Sequence, residues 1–572
     1  MAAIIGALDN YTSYQIGEKG HLEHAWSTDI RERILQLSFQ LTRTKDYASL
    51  AWPTARLITE LQTGYKNGVI LKEVYVEYMV LLYKMVGHTR DIIDGKGECS
   101  LSYMLLNTWA VFDLELAKFA LKQFVLNDNP DVHPYGSWKD IKYLYKYSKG
   151  PDALVSYGIQ LTNEQLRKDV ELKNPSLLGK WVPREKSQFG DMFSLMASDY
   201  FSNYLATAKT DQAKTKALLK AKMDYRKVIS GLNKKLDTTQ IKQCSNQWAN
   251  LVPEKQTSIT MHKQKQAFLN LKKNGEQRSD LDDRIKCGEK FTEYAGKAAR
   301  NEVAVKGKRI GLNDFTKEAL NIITYNKKNG PEAQILNAQW KNNSLQTGAL
   351  GKMIAMVDVS GSMDGDPMNA AIALGIRIAE KSMLGKRVLT FSASPAWINV
   401  EKCDNFVEMV DVIRHDSNWG MNTNFYAALD MILDAIVANK LKPDDVEDMV
   451  LAIFSDMQID DAYYDDGTGK MDTMMDRIEK RYAEEGMKLW NKPFKAPHIL
   501  FWNLRSTSGF PALSLQQNAS MMSGFSPALL NLFCEQGLEA LQSCTPWSLF
   551  KKSLDNPRYQ VLEDEMRRFL EK

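Results

Sequence analysis

The chain has 572 residues, of which 44% are hydrophobic and 25% are charged, and its formal net charge is +4. This composition is typical of folded globular proteins and excludes a largely disordered chain. No apolar run reaches the roughly 18 residues that a bilayer span requires, and the N-terminus reaches Asp9 without a basic segment, so we expect neither a membrane span nor a signal peptide.

Up to about residue 330 the apolar residues recur at helical spacing. Ile30, Ile34, Leu37 and Leu41 follow the rhythm of one buried helix face. Further helix-length apolar segments lie at 70–88, 100–113, 114–127 and 138–147. Short polar or Gly/Pro connections separate them, which favours antiparallel helix pairs in an α-solenoid whose sequence repeat is degenerate.

The connection at residues 94–97 leaves two interpretations open. Gly95 and Gly97 could let the backbone cradle a phosphate, with Arg90 and Lys96 nearby. The same residues could form a tight turn between two helices, capped by Asp91, and this is the interpretation that we favour.

Positive charge is concentrated in residues 201–350, which hold 28 Lys and Arg against 14 Asp and Glu. Residues 1–350 together hold 51 against 38, whereas residues 351–572 hold 23 against 32. A solvated helix face and a phosphate-binding surface both explain such a run, and both stay open. The candidate RNA contacts are Lys214, Lys220, Arg226, Lys227, Lys234, Lys235, Lys263 and Lys265.

The pattern changes near residue 345, where we place a domain boundary. The apolar run Met353–Val357 predicts a buried parallel strand. Further strands are expected at 388–392, 449–454 and 498–502, with helices near 367–381, 404–414, 424–439 and 472–485 and a last short strand and helix within 521–535. Alternating strands and helices predict a doubly wound α/β sheet, which binds ligands at the C-terminal ends of its strands.

Oxygen donors follow two of these strands. Asp358, Ser360 and Ser362 form an Asp-x-Ser-Gly-Ser turn directly after the first strand, and Gly361 would permit a tight bend. Thr423 lies in a loop before a helix, and Asp456 immediately follows another strand. The candidate ligands are oxygen atoms, few of them are charged, and they would leave one coordination position open. Such a set predicts a site for Mg²⁺ or another divalent cation.

This set of residues resembles the metal-ion-dependent adhesion site (MIDAS) of the von Willebrand A superfamily. The resemblance implies that Ser360, Ser362 and Thr423 ligate the metal, while Asp358 and Asp456 act directly or through water. It also implies a protein partner that supplies an Asp or Glu to complete the coordination sphere. A site that is filled by metal but has no partner stays an alternative.

Short sequence segments across the chain resemble those of a family that joins a TROVE-like helical module to a von Willebrand A domain. That family occurs in plants, fungi, large DNA viruses and phages. The segments lie at residues 88–98, 135–140, 180–183, 225–227, 454–458, 501–505 and 523–526. The domain order is also similar to that of the Ro ribonucleoprotein autoantigen, in which the A domain closes a ring of HEAT-like helix pairs. The resemblance implies a multidomain protein, with an all-α HEAT-like solenoid or ring at 1–345, a von Willebrand A-like domain at 346–540 and a C-terminal helical tail at 541–572.

Two functions therefore stay open. The first is a non-enzymatic RNA-binding protein of the Ro type, which would bind structured or single-stranded RNA and recruit a partner through magnesium. The second is a protein-interaction scaffold that docks through the metal site without RNA. We do not expect an enzyme, because the sequence contains no nucleophile elbow, no Walker loop, no His-Glu-x-x-His motif and no credible catalytic triad. Six scattered cysteines without a Cys-x-x-Cys pair fit a reducing compartment and so favour a cytoplasmic location. The lack of an apolar run of bilayer length favours no membrane association.

Overall fold

The chain consists of a helical region, an α/β region and a C-terminal helical segment. The computed structural model describes residues 14–17, 20–417, 424–447, 449–458, 474–507, 509–534 and 543–572. The helical region, residues 30–344, contains α1 (Ile30–Gln40), α2 (Ala51–Lys66), α3 (Lys72–Arg90), α4 (Ser100–Phe112), α5 (Leu114–Val125), α6 (Lys139–Tyr147), α7 (Ala153–Glu171), α8 (Leu178–Trp181), α9 (Gly190–Tyr200), α10 (Ser202–Ala206), α11 (Asp211–Leu236), α12 (Thr239–Cys244), α13 (Ser258–Phe268), α14 (Asp282–Ala299), α15 (Leu312–Thr324) and α16 (Pro331–Ser344). The four apolar segments identified in the sequence correspond to α3 through α6.

Several helices begin where an aspartate can cap the first turn. Asp29, Asp113 and Asp152 each accept a hydrogen bond from a backbone amide of the helix that follows, at 2.7–3.0 Å. Such caps satisfy amides that have no partner inside the helix. In the described ranges, no helix combines the length and the apolar character that a bilayer crossing demands.

The first described residues form a hairpin, although the sequence predicts helices throughout this part. Strand β1 (Tyr14–Ile16) pairs antiparallel with β2 (Leu22–His24). The backbone of His24 also pairs with that of Phe510 in the α/β region, at 3.0 and 2.9 Å. Strands this short carry too few residues for an alternating pattern, and their partner is distant in sequence.

The α/β region contains a six-stranded sheet in the order β5-β4-β3-β6-β7-β8. Its elements are β3 (Lys352–Asp358), α17 (Asp366–Lys381), β4 (Arg387–Phe391), β5 (Ala396–Asn399), α18 (Phe406–Asp416), α19 (Phe425–Ala438), α20 (Pro443–Glu447), β6 (Met449–Ser455), α21 (Met474–Trp490), β7 (His498–Asn503) and β8 (Ala519–Ser523). Five strands are parallel, whereas β5 pairs antiparallel with β4 at the edge and is an addition to the predicted strands. The last predicted helix is a 3₁₀ helix at Pro527–Phe533.

The two faces of the sheet belong to two hydrophobic cores. Met353, Ala355 and Val357 face a core that includes α17, α18, α15 and α16. Ile354 and Met356 face the other core, which is continuous with residues 34–232 of the helical region. Many helices contact the next helix along the chain, and both ends of the helical region contact the α/β region. At one end α1 contacts β8, and at the other end α15 contacts α17 and α18. The helical region therefore begins and ends against the sheet.

The loop between α3 and α4 is a buried turn. Lys96 Nζ donates to two backbone oxygens at the C-terminal end of α1 (2.6 and 3.0 Å) and to Ser523 Oγ (2.6 Å). Arg90 donates two hydrogen bonds of 2.8 Å to the carboxylate of Asp140. Asp91 Oδ1 accepts from the amide two residues further on, at 3.0 Å. The interpretation as a phosphate cradle is wrong, because both cations form buried internal bonds.

The C-terminal segment packs against the helical region. It contains α22 (Pro546–Leu554) and α23 (Gln560–Leu570), and α23 contacts α3. Arg558 donates two 2.7 Å hydrogen bonds to the fully buried carboxylate of Asp91, and the hydroxyl of Tyr559 donates to it at 3.1 Å. The two helices approach so closely at Gly87 that a Cβ there would lie 2.7 Å from Leu562 Cδ1.

Candidate metal centre

The candidate site lies where the strand order of the sheet reverses. The chain runs outward from β3 to β4 and β5, and then returns to place β6 on the other side of β3. Parallel sheets bind ligands at such switch points, beyond the C-terminal ends of the strands. Asp358 ends β3, and Asp456 follows the last residue of β6. The topology therefore brings both carboxylates to one edge.

Asp358 is completely buried and is held by two hydrogen bonds. Its Oδ1 accepts from the amide of Ser360 at 2.9 Å, and its Oδ2 accepts from Ser455 Oγ at 2.6 Å. Burial, followed by the negative charge of Asp456, raises the pKa of Asp358 to about 6. Two anionic carboxylates in this environment repel each other, and a nearby cation would relieve that repulsion.

Asp456 is also buried, and one of its oxygens has no hydrogen-bond partner. Oδ1 accepts from the amide of Gln458 at 3.2 Å, whereas Oδ2 accepts from no donor within the described ranges. Oδ2 forms an ion pair with the guanidinium of Arg505, whose Nη1 lies 3.6 Å away. Leaving a buried carboxylate oxygen without a partner is unfavourable, so this oxygen is available to a ligand.

The two serine hydroxyls lie side by side. Ser360 Oγ and Ser362 Oγ are 3.1 Å apart, and Ser360 is completely buried. The turn that joins them is a 3₁₀ helix at Gly361–Met363. Gly361 does not have a positive φ, and a Cβ there would meet no atom within 4 Å. The bend therefore does not require glycine, contrary to the role that the sequence suggests for it.

Thr423 lies outside the described residues. The backbone of the next residue, Asn424, donates to Ser392 O at 2.7 Å, one residue beyond the end of β4. Asn424 Oδ1 also caps α19 by accepting from Ala427 N at 3.1 Å. Asn424 is thus held at the sheet edge where Asp358 lies, since β4 is the neighbour of β3.

The donor set suits a hard divalent cation. It consists of two buried carboxylates and two adjacent hydroxyls, and one carboxylate oxygen lacks a partner. Such oxygen donors are those that Mg²⁺ takes in proteins. Among the described residues there is no cluster of three or more His, Cys, Asp or Glu side chains suited to a metal.

Two residues at this edge received no role from the sequence. Ser455 supports Asp358, and Arg505 donates from Nη1 to Ser362 O at 2.6 Å. Neither belongs to the metal motif that the sequence predicts. Ser455 ends β6, and Arg505 lies two residues after the end of β7. This position at the C-terminal ends of parallel strands is the signal that could have identified them.

The six candidate RNA contacts on α11 are exposed, and most of them already have intramolecular partners. Lys220 lies over the Tyr204 ring at 4.5 Å, and Lys235 Nζ donates to Val170 O at 2.7 Å. Lys234 is exposed, with no ion pair or hydrogen bond from its side chain to the described residues. Three others pair with carboxylates: Lys214 with Asp211 (3.6 Å), Lys227 with Asp224 (3.0 Å) and Arg226 with Glu185.

The two lysines of α13 differ from each other. Lys263 is exposed, whereas only 3% of the Lys265 side chain is exposed and its ammonium lies 2.9 Å from Glu318. Both line a cavity of about 190 Å³, together with Lys273 and Lys327. The structure therefore separates the eight candidate RNA contacts into an exposed row on α11 and a lysine-lined cavity beside α13.

Comparisons with known proteins give a match to one family model and one relative. Residues 352–558, which run from the first residue of β3 to Arg558, match the model of a domain of unknown function, DUF7788. The chain is also similar to "Uncharacterized protein L728" of Acanthamoeba polyphaga mimivirus, with 28% identity over 475 residues that cover 78% of this chain and 75% of the viral protein. No solved structure matches the chain.

Proposed function

We propose that this protein is a non-enzymatic, cation-dependent docking protein, whose α/β region is a von Willebrand A-like domain with a magnesium site. Asp358, Ser360, Ser362, Thr423 and Asp456 would hold the cation. The bound cation would supply a positive charge with a coordination position open to an external ligand. The side chains of this chain orient the site, and a partner supplies an Asp or Glu carboxylate to it.

The observation that carries this proposal is that Oδ2 of Asp456 accepts no hydrogen bond from the described residues. It is buried beside a second buried carboxylate, Asp358, at the switch point of the sheet. A buried carboxylate oxygen normally accepts a hydrogen bond, because burying it without one is costly. Here Oδ2 has only an ion pair with Arg505, at 3.6 Å, and the arginine side chain is half exposed.

The path of the helical region supports the resemblance to a TROVE-like module. Its first helix contacts β8 and its last helices contact α17 and α18, so the series starts and ends on the α/β region. Arg309 Nη1 donates to Ile92 O at 3.1 Å and links the segment before α15 to the loop between α3 and α4. A helical ring closed by an A domain would have this connectivity.

The test is metal binding by the full chain. Electron paramagnetic resonance with Mn²⁺ as the probe measures free cation directly, and competition with Mg²⁺ gives the affinity for magnesium. We expect one site, lost in Asp358→Asn and Asp456→Asn, which keep the side-chain shape. Asp404→Asn, an exposed residue of the same region, is the matched control. Unchanged Mn²⁺ binding in both site variants would refute the proposal.

A second experiment tests docking. Extract from the source organism is passed over the immobilised chain in Mg²⁺ or in chelator, with Asp358→Asn in parallel. A specific partner should be retained only by the unmodified chain in Mg²⁺. Retention that is equal in chelator would contradict a metal-dependent contact.

RNA binding by the helical region is a second candidate, and the lysine-lined cavity favours it. Lys263, Lys265, Lys273 and Lys327 converge there against Glu318 and Glu332. Phosphate contacts would make RNA affinity fall steeply with salt. Fluorescence anisotropy with one single-stranded and one stem-loop RNA, over a range of salt concentrations, tests this. Absence of binding at low salt would exclude it.

A further inference from the structure

Arg505 occupies the rim of the candidate metal centre. Its Nη1 donates to Ser362 O at 2.6 Å and lies 3.6 Å from Asp456 Oδ2, the oxygen that has no hydrogen-bond partner. The side chain is 53% exposed, so the guanidinium faces the solvent from which a ligand would arrive. Arg505 thus contacts residues from both halves of the proposed ligand set.

A hydrogen bond to the end of β7 holds the backbone of Arg505 in place. Its amide donates to Asn503 Oδ1 at 3.0 Å. Asn503 ends β7, is completely buried, and donates from Nδ2 to Phe39 O of α1 at 3.3 Å. The arginine therefore projects from a segment that is fixed both to the sheet and to the helical region.

Two electrostatic consequences follow from this position. A positive charge beside Asp456 Oδ2 lowers the affinity of the site for a second positive charge, because like charges repel. The remaining guanidinium N–H groups make no hydrogen bond to any described residue, so they are available to an anion. Guanidinium groups bind carboxylates with two parallel hydrogen bonds.

We propose that Arg505 couples the cation to the acidic ligand. Without a bound carboxylate, the charge of Arg505 opposes cation binding. When a carboxylate lies between the guanidinium and the cation, Arg505 favours the binding of both the cation and the carboxylate. Cation and carboxylate would then bind cooperatively, which is a reciprocal linkage between two ligands. This inference rests on the proposed function, since it requires a cation at Asp358 and Asp456.

The experiment is a set of Mn²⁺ titrations of the full chain in chloride and in acetate at equal ionic strength. Acetate is the carboxylate probe. The variant is Arg505→Gln, and the matched control is Arg387→Gln. The control removes an arginine at the start of β4, at the end of the strands opposite to the candidate metal centre. The control also corrects for the weak complex of acetate with free Mn²⁺.

In chloride we expect Arg505→Gln to bind Mn²⁺ about tenfold more tightly than the unmodified chain. Acetate should tighten Mn²⁺ binding in the unmodified chain and in Arg387→Gln, and should have no such effect in Arg505→Gln. If Arg505→Gln matches the unmodified chain in both salts, the inference is overturned while the metal site stands. If the unmodified chain binds no Mn²⁺, the proposed function fails as well.

Discussion

Ser455 Oγ donates a 2.6 Å hydrogen bond to Asp358 Oδ2 and thereby joins the ends of β6 and β3. The same hydroxyl oxygen accepts from the amide of Met457 at 3.0 Å. Met457 has a positive φ of 61°, which is uncommon for a residue with a side chain. Ser455 therefore fixes both the orientation of Asp358 and the turn that carries Asp456.

Removing this hydroxyl should weaken the metal site without unfolding the sheet. We expect Ser455→Ala to bind Mn²⁺ at least about tenfold more weakly, as is usual when a residue that orients a ligand is lost. Ser102→Ala is the control, because Ser102 is equally buried but bonds only to backbone oxygens near the start of α4. Equal affinities of the two variants would show that Ser455 has no positioning role.

The buried pair of Arg558 and Asp91 should hold the C-terminal segment on α3. Arg558→Ala would leave the carboxylate of Asp91 buried without its cation, at a cost of about 3 kcal/mol. Hydrogen exchange in α23 should then become roughly a hundredfold faster. Arg568→Ala removes an exposed arginine from α23 itself and should change the exchange little. Similar exchange in both variants would contradict this assignment.

If RNA contacts the lysine-lined cavity, the exposed lysines at its mouth should matter most. We expect Lys263→Glu combined with Lys273→Glu to weaken binding of single-stranded RNA and to reduce the salt slope by about 1.4, from two lost phosphate contacts. Lys72→Glu, at the start of α3, introduces the same kind of charge reversal elsewhere. Anisotropy titrations compare the three proteins, and an equal loss in Lys72→Glu would point to a nonspecific effect of charge.

Buried histidines predict destabilisation in mild acid. Burial lowers the pKa of His24 to about 4 and those of His88 and His262 to about 3, from 6.5. Between those values and pH 6.5 the unfolded chain binds more protons, so the stability present above pH 6.5 is lost as the pH falls. Each group contributes a slope of about 1.4 kcal/mol per pH unit in that window.

Thermal unfolding followed from pH 7.5 to 5 measures this slope. His88→Gln should reduce it, whatever its effect on stability at neutral pH, because one titrating group is removed. His133→Gln, at an exposed position, should leave the slope unchanged. A slope that is the same in all three proteins would contradict the proposed cause.

The period of the apolar residues predicts most of the architecture. Helix-length segments from 70 to 147 became α3 to α6, and the apolar runs ending at Asp358 and before Asp456 became β3 and β6. These predictions succeed because burial of one helix face, or of both faces of a strand, requires a local pattern. The sequence did not predict the hairpin β1–β2 or the edge strand β5. Short edge strands take their register from partners that are distant in sequence, and such strands are only half buried.

The candidate metal residues were also identifiable in sequence, since Asp358, Ser360 and Ser362 lie in one turn and Asp456 directly follows a strand. The sequence did not reveal the roles of Ser455 and Arg505, which depend on β6 and β7 lying beside β3. It also could not distinguish an exposed lysine such as Lys263 from a buried one such as Lys265, two positions away on the same helix.

The sequence by itself thus determined the helical region, the α/β region and the set of oxygen donors, because local periodicity and adjacent ligands are written in short stretches of chain. Only the tertiary structure decided that Arg90 and Lys96 serve internal bonds, that the C-terminal segment returns to α3, and that Arg505 faces Asp456. Those relationships join residues that are distant along the chain, and the free energy of such contacts depends on burial and geometry that no local pattern encodes.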